Sequence, residues 1–192
     1  LEKHPVIFSK VLALQGSIFE DLGSYDLAIE YFTESIDICK ANKDTNGLSD
    51  MYSRIGNVRY LMGENDLALQ TYEDALELER IKGNRMGEMM SLCQMGLVEL
   101  QRGNHKAAQN AHEDALAIAK EDRMNRGIAD NEMYIGRICL EVGDADSALI
   151  HFENAYEIWE VPGIKIRMGQ TLLGMARAYY ALGNERAFLA KA

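Results

Sequence analysis

Across Met51–Gly87 the apolar side chains recur at helical spacing, with Ile55, Val58, Leu61 and Met62 in one run and Leu69, Tyr72, Leu76 and Leu78 in the next. Spacings mostly of three and four residues put each set on one broad face of a helix. Between the runs, Gly63 supplies the left-handed residue that ends a helix. Glu64, Asn65 and Asp66 then provide acceptors and negative charge for the start of the next. The pattern predicts two antiparallel helices, neither able to bury its apolar face alone. It also returns every forty residues. Gly63 has counterparts at Gly23, Gly103, Gly143 and Gly183, and Gly56 at Gly16, Gly96 and Gly136. A fixed period of this length marks a solenoid, whose units bury a continuous core by stacking. In that picture Gly56 faces Ala68 and Ala75, so that the two helices approach closely. Gly16 pairs likewise with Ala28 and Ser35, Gly96 with Ala108 and Ala115, and Gly136 with Ala148 and Ala155.

The period divides residues 1–192, read as one domain, into repeats at about 6–46, 47–85, 86–125, 126–162 and 163–192, the last one partial. Pro5 fits the first turn of a helix over Val6 to Leu22, and a second helix follows over Tyr25 to Ala41, with Asn42 to Asn46 as connector. Met86, Met89, Met90 and Met95 at helical spacing predict core packing. Val161, Pro162 and Gly163 interrupt the array, since proline cannot continue a helix. Arg167 stands where earlier repeats have glycine, which predicts a changed helix start. Phe188 and Leu189 lie on a stub too short to bury them, so the expectation is that a longer chain or another subunit covers that end.

Composition changes the picture in one respect. A formal charge of −10 disfavours nucleic acid and anionic membrane surfaces as partners. There is no apolar run of eighteen residues and no signal peptide, although the chain starts without methionine, and a cytoplasmic location is the default expectation. Cys39, Cys93 and Cys139 have no metal or redox spacing and read as small packed hydrophobes in a reducing compartment. His105 and His112 lie seven apart with no third ligand nearby. His112 replaces the aromatic found at the equivalent position of three other repeats, so packing is its expected role. No nucleophile elbow, phosphate loop or metal-binding helix motif occurs, so the expectation is a protein that is not an enzyme and needs no cofactor or metal.

Glycine at the eighth position of the first helix, glycine at the turn, alanine at the twentieth position, an aromatic at the twenty-fourth (Phe32, Tyr72, Phe152) and alanine at the twenty-seventh resemble the tetratricopeptide repeat. The resemblance covers the chain from about Pro5 to Ala192 and implies an all-α fold, a right-handed solenoid of antiparallel helix pairs. The period of forty rather than thirty-four, the lack of a proline after the second helix, and Gly47, Gly87 and Gly127 match the longer form. That form is similar to Pins-type adaptors, rapsyn and Rap-type peptide sensors. The family implies that first helices line a concave groove holding an extended or short helical peptide. Carried over position by position, this puts Arg54, Asn57, Tyr60, Gln94, Leu97, Tyr134, Arg137, Arg177 and Tyr180 in the groove. Arginine forks suit carboxylates, asparagine and glutamine suit a peptide backbone, and the aromatic and leucine side chains suit apolar anchors. A partner carrying acidic residues is therefore expected. The competing role for Arg54 is a local pair with Asp50, one turn earlier. A chaperone-tail ligand is not the expectation, because only Asn57 matches that clamp. Two further expectations are a peptide-gated sensor controlling an attached output domain, and self-assembly as a homo-oligomer through the incomplete last repeat.

Overall fold

The computed structural model describes residues 5–160 and 165–183. Helices account for most of them, and no strand occurs among the described residues. The chain divides into two compact units, Leu1–Arg102 and Gly103–Ala192.

The first unit holds α1 (Pro5–Asp21), α2 (Tyr25–Ala41), α3 (Thr45–Leu61), α4 (Asn65–Lys82) and α5 (Arg85–Gln101), each packed against the next in sequence. Pro5 is the first helical residue, as the missing N–H of proline favours. The pairs close through short turns. Gly63 there has φ 78°, a left-handed conformation that a side chain resists, and the N–H of Glu64 bonds back to the carbonyl of Arg59.

Helix starts differ from expectation. Glu64 makes no side-chain cap, and the first bond of α4 is the backbone contact from Ala68 N–H to the Glu64 carbonyl, with Asp66 adding charge in the first turn. Side-chain caps occur instead before α3 and α5, where the Gly47 and Gly87 N–H groups donate to Asp44 and Asn84 at 3.0 and 3.3 Å. A methyl group on Gly47 would lie 2.6 Å from the Cys39 sulfur and 2.7 Å from the Asp44 carboxylate. The glycine that marks the longer repeat thus leaves room for the cap and for the preceding helix.

The small residues also work differently from the expected pairing of glycine with alanine. A Cβ on Gly56 would sit 2.7 Å from the Tyr72 ring, and one on Gly16 would sit 2.5 Å from Phe32. Glycine in the first helix therefore receives the aromatic of the second. Ala68 and Ala75 are fully buried on either side of that ring in sequence. Burying a ring of this size contributes about 2 kcal/mol, which explains why the close approach is retained.

The second unit holds α6 (His105–Glu121), α7 (Asn125–Glu141), α8 (Ala145–Glu160) and α9 (Lys165–Ala181). Its core gathers Ala129, Met133, Ile135, Cys139, Phe152, Trp159, Met175 and Ala178. Phe152 lies between two glycines, with a Cβ on Gly136 3.0 Å from its ring and one on Gly174 2.6 Å away. His112 is fully buried and packs its ring on Tyr134, with centroids 4.9 Å apart and planes 13° apart, which is the packing role expected for it. Cys39 and Cys139 are buried and Cys93 is half-buried. The methionines divide, since Met89 is buried while Met86 and Met90 are exposed. The expected break at Val161–Gly163 and the stub bearing Phe188 and Leu189 lie outside the described residues, as does any contact made through that stub.

Candidate functional site

Each unit contains a hollow lined by its first helices. In the first unit a hollow of about 470 Å³ lies between α3 and α5 and brings together Arg54, Asn57 and Gln94. Its charges are already spoken for. Arg54 Nε donates to Asp50 at 3.1 Å and its Nη1 to the Ser17 hydroxyl at 2.8 Å, so the local pair is formed. Asn57 Oδ1 accepts from the Tyr72 hydroxyl at 2.6 Å. Burial pushes the Glu79 carboxyl up, but hydrogen bonding from Lys82, Ser49 and Asn84 outweighs this and holds it below the usual value. Lys82 Nζ lies 2.8 Å from that carboxylate and 2.7 Å from the Ser49 hydroxyl. Lys82, Glu79, Ser49 and Asn84 were not legible as a set, because α3, α4 and the cap before α5 supply them at spacings that no single-helix pattern records.

In the second unit a cleft of about 230 Å³ separates α7 from α9 and brings together Tyr134, Arg137 and Arg177. Met133, Leu140 and Leu173 form apolar walls, Gly174 and Phe152 lie beneath, and Arg167 and Gln170 complete the rim. No acidic side chain is among its lining residues. Arg167 reaches Asp130 at 3.4 Å and stands over the Trp159 ring at 6.0 Å. Asp130 also lies 3.7 Å from Arg126. Burial raises the Asp130 carboxyl above its usual range, against the pull of these two arginines.

Arg137 is held over the Tyr134 ring at 5.6 Å, a contact that positions a guanidinium without neutralising it. Neither Arg137 nor Arg177 makes an ion pair among the described residues, and both are exposed. Beneath Tyr134, His112 Nδ1 meets Asn131 Oδ1 at 2.9 Å, while Asn131 donates its amide to the Gly127 carbonyl at 2.8 Å. Asn131 therefore presents oxygen and the imidazole carries its proton on Nδ1. Burial pushes the His112 imidazole below its ordinary value, opposed by the hydrogen bond to Asn131 and aided by the Arg137 charge.

Three predicted residues stand apart from these hollows. Tyr60 packs beside Ala68, Tyr72 and Val98, Leu97 is half-buried outside the lining set, and Tyr180 is 73% exposed. Arg167 was missed as a site residue, although its replacement of the glycine seen at Gly47, Gly87 and Gly127 was the available signal.

A separate charged cluster lies in the second unit. Glu132 is buried and accepts from Lys120 at 3.0 Å, from His151 at 2.6 Å and from Asn154 at 3.4 Å. Burial pushes its carboxyl up, and these partners more than reverse the shift.

A sequence profile of the tetratricopeptide repeat matches residues 9–80 and again 47–121. Among solved structures, BtubC (BKLC) from P. vanneervenii superposes with TM-score 0.88 at 17% identity, covering 98% of this chain and 80% of that one. The apo form of RapI gives 0.87 at 17% identity over 96% of this chain. The Rap conjugation gene regulator of plasmid pLS20, in complex with the Phr* peptide, gives 0.75 at 17% identity over 99% of it. This chain spans 52% and 53% of those two Rap chains. At such identity the likeness establishes the fold. The comparison with curated proteins returned no match. No helix among the described residues is long and apolar enough to cross a membrane.

Proposed function

The chain belongs to the tetratricopeptide repeat family, and on that premise we propose that it is a non-catalytic interaction module holding a partner peptide against its first helices, with acidic residues of that peptide at the α7–α9 cleft. The observation that carries this reading is the pair Arg137 and Arg177, which face one cleft without a carboxylate partner among the described residues in a protein of net charge −10. Arginine forks bind carboxylates bidentately, and Leu140 and Leu173 offer apolar surface beside them. The reading takes residues 1–192 as one array of forty-residue repeats. A peptide array of acidic and neutral sequences tests it: acidic peptides are expected to be retained and to be released as salt rises, whereas retention indifferent to charge overturns it.

A second reading is a peptide-gated sensor acting on an attached output domain. It is favoured by the superposition on the pLS20 Rap regulator, a protein captured with a peptide, of which this chain spans about half. Fusion of the chain to a reporter domain, with output measured with and without bound peptide, tests it, and output that ignores the peptide contradicts it.

A further inference from the structure

We propose that the α7–α9 cleft receives a phosphorylated side chain of the partner peptide, because Arg137 and Arg177 both line it with no acid among the lining residues while Arg167 beside them is already paired with Asp130. This rests on the reading that the cleft takes a partner peptide.

Charge arithmetic separates a phosphate from a carboxylate. The cleft, at about 230 Å³, is smaller than the roughly 300–1,000 Å³ typical of small-molecule pockets, so it admits one side chain rather than an extended ligand. Two guanidinium groups therefore share one anionic group. A single carboxylate neutralises one of them and leaves the other uncompensated. A phosphomonoester carries about −1.5 to −2 at neutral pH and three acceptor oxygens, and so satisfies both forks.

The third arginine does not upset this count. Arg167 lies 3.4 Å from Asp130 and donates to the Gln170 side-chain oxygen at 3.4 Å, so its charge is already engaged. Arg137 is also positioned without being discharged, by its place over the Tyr134 ring. Leu140 and Leu173 provide the apolar wall along which the stem of a phosphorylated residue can lie. The overall negative charge does not forbid the contact. Exposed charges beyond about 8 Å are screened at physiological salt, so the forks at contact distance decide the outcome.

The test uses one peptide sequence in three forms that differ only at a central position: serine, glutamate and phosphoserine. Each is titrated by fluorescence polarisation near physiological salt, with inorganic phosphate alone as competitor. The phosphoserine form is expected to bind about tenfold tighter than the glutamate form, since charge-assisted forks to a dianion add to those a carboxylate makes. Arg137→Ala and Arg177→Ala should each remove most of that preference, and Arg177→Lys should restore part of it, with helicity by circular dichroism unchanged. Equal binding of the glutamate and phosphoserine forms overturns the phosphate assignment and leaves the peptide reading standing. Failure of all three forms, and of acidic peptides on the array, overturns both. Displacement by inorganic phosphate at the concentration of bound phosphopeptide identifies a free-anion site and overturns the peptide-borne assignment.

Discussion

The α3–α5 hollow and the α7–α9 cleft are built on the same repeat, yet the hollow spends its charges internally while the cleft, apart from Arg167 with its partner Asp130, leaves them facing outward. In the hollow, Arg54 and Lys82 are met by Asp50 and Glu79. In the cleft, Arg137 and Arg177 meet no acid among the described residues. The cause is one residue, four positions earlier. Asp50 precedes Arg54 by one turn and captures it, whereas Met133 and Leu173 precede Arg137 and Arg177 at the same distance. Glu141, one turn after Arg137, lies 3.3 Å from His105. A scaffold that fixes where side chains stand thus leaves ligand readiness to the local neighbour.

The largest expected effect breaks the contrast outright. Replacing both Arg137 and Arg177 with Ala should weaken an acidic peptide about a hundredfold, while Arg54→Ala should change its affinity less than threefold, as measured by isothermal titration. Equal losses would mean that the two hollows do not differ. The second concerns the charges that each unit does bury. Glu132→Ala should cost about 2 kcal/mol in urea unfolding, because His151 and Asn154 lose an ionised acceptor, with the exposed Lys120 adding little. Its folded pKa lies below the usual 4.5, so its stabilisation is complete above that value and is lost as pH falls from there through the lowered folded pKa. Glu132→Gln should accordingly flatten the acid limb of the stability curve between those two values.

A third prediction concerns the packing beneath the cleft. Gly174→Ala should destabilise by roughly 1–2 kcal/mol, since Phe152 is wedged between Gly136 and Gly174 and cannot yield to a new methyl group. Gly169→Ala, in the same helix with nothing within 4 Å of the new atom, should instead stabilise by about 0.5–1 kcal/mol through helix propensity. Thermal melts of the two variants moving in the same direction would contradict that packing. The smallest effect sharpens the comparison from the other side. Asp50→Asn releases Arg54, so affinity of the first unit for an acidic peptide should rise a few-fold while stability changes by less than about 0.5 kcal/mol.

The repeating helix pairs were legible because period, turn glycines and apolar spacing all pointed the same way. The partner of each helix glycine was not. Sequence proximity suggested Ala68 and Ala75 for Gly56, but the ring of Tyr72, lying between them in the chain, is long enough to reach across and fill the space first. At the site, the pairing of Arg54 with Asp50 was readable from spacing alone, whereas spacing offered Arg137 a partner in Glu141, which the structure places against His105 instead. What spacing could not convey was the arrival of Arg167 beside α7, which depends on how closely α9 approaches Phe152. Gly174 permits that approach, at a position where the same register holds Arg54 and Tyr134 in other repeats.

The most direct measurement is an NMR titration that follows the arginine side-chain Nε–Hε resonances as an acidic peptide is added. The account predicts that Arg137 and Arg177 shift in a saturable manner while Arg54, held by Asp50 and Ser17, stays in place. Movement of Arg54 with Arg137 and Arg177 unmoved would contradict it.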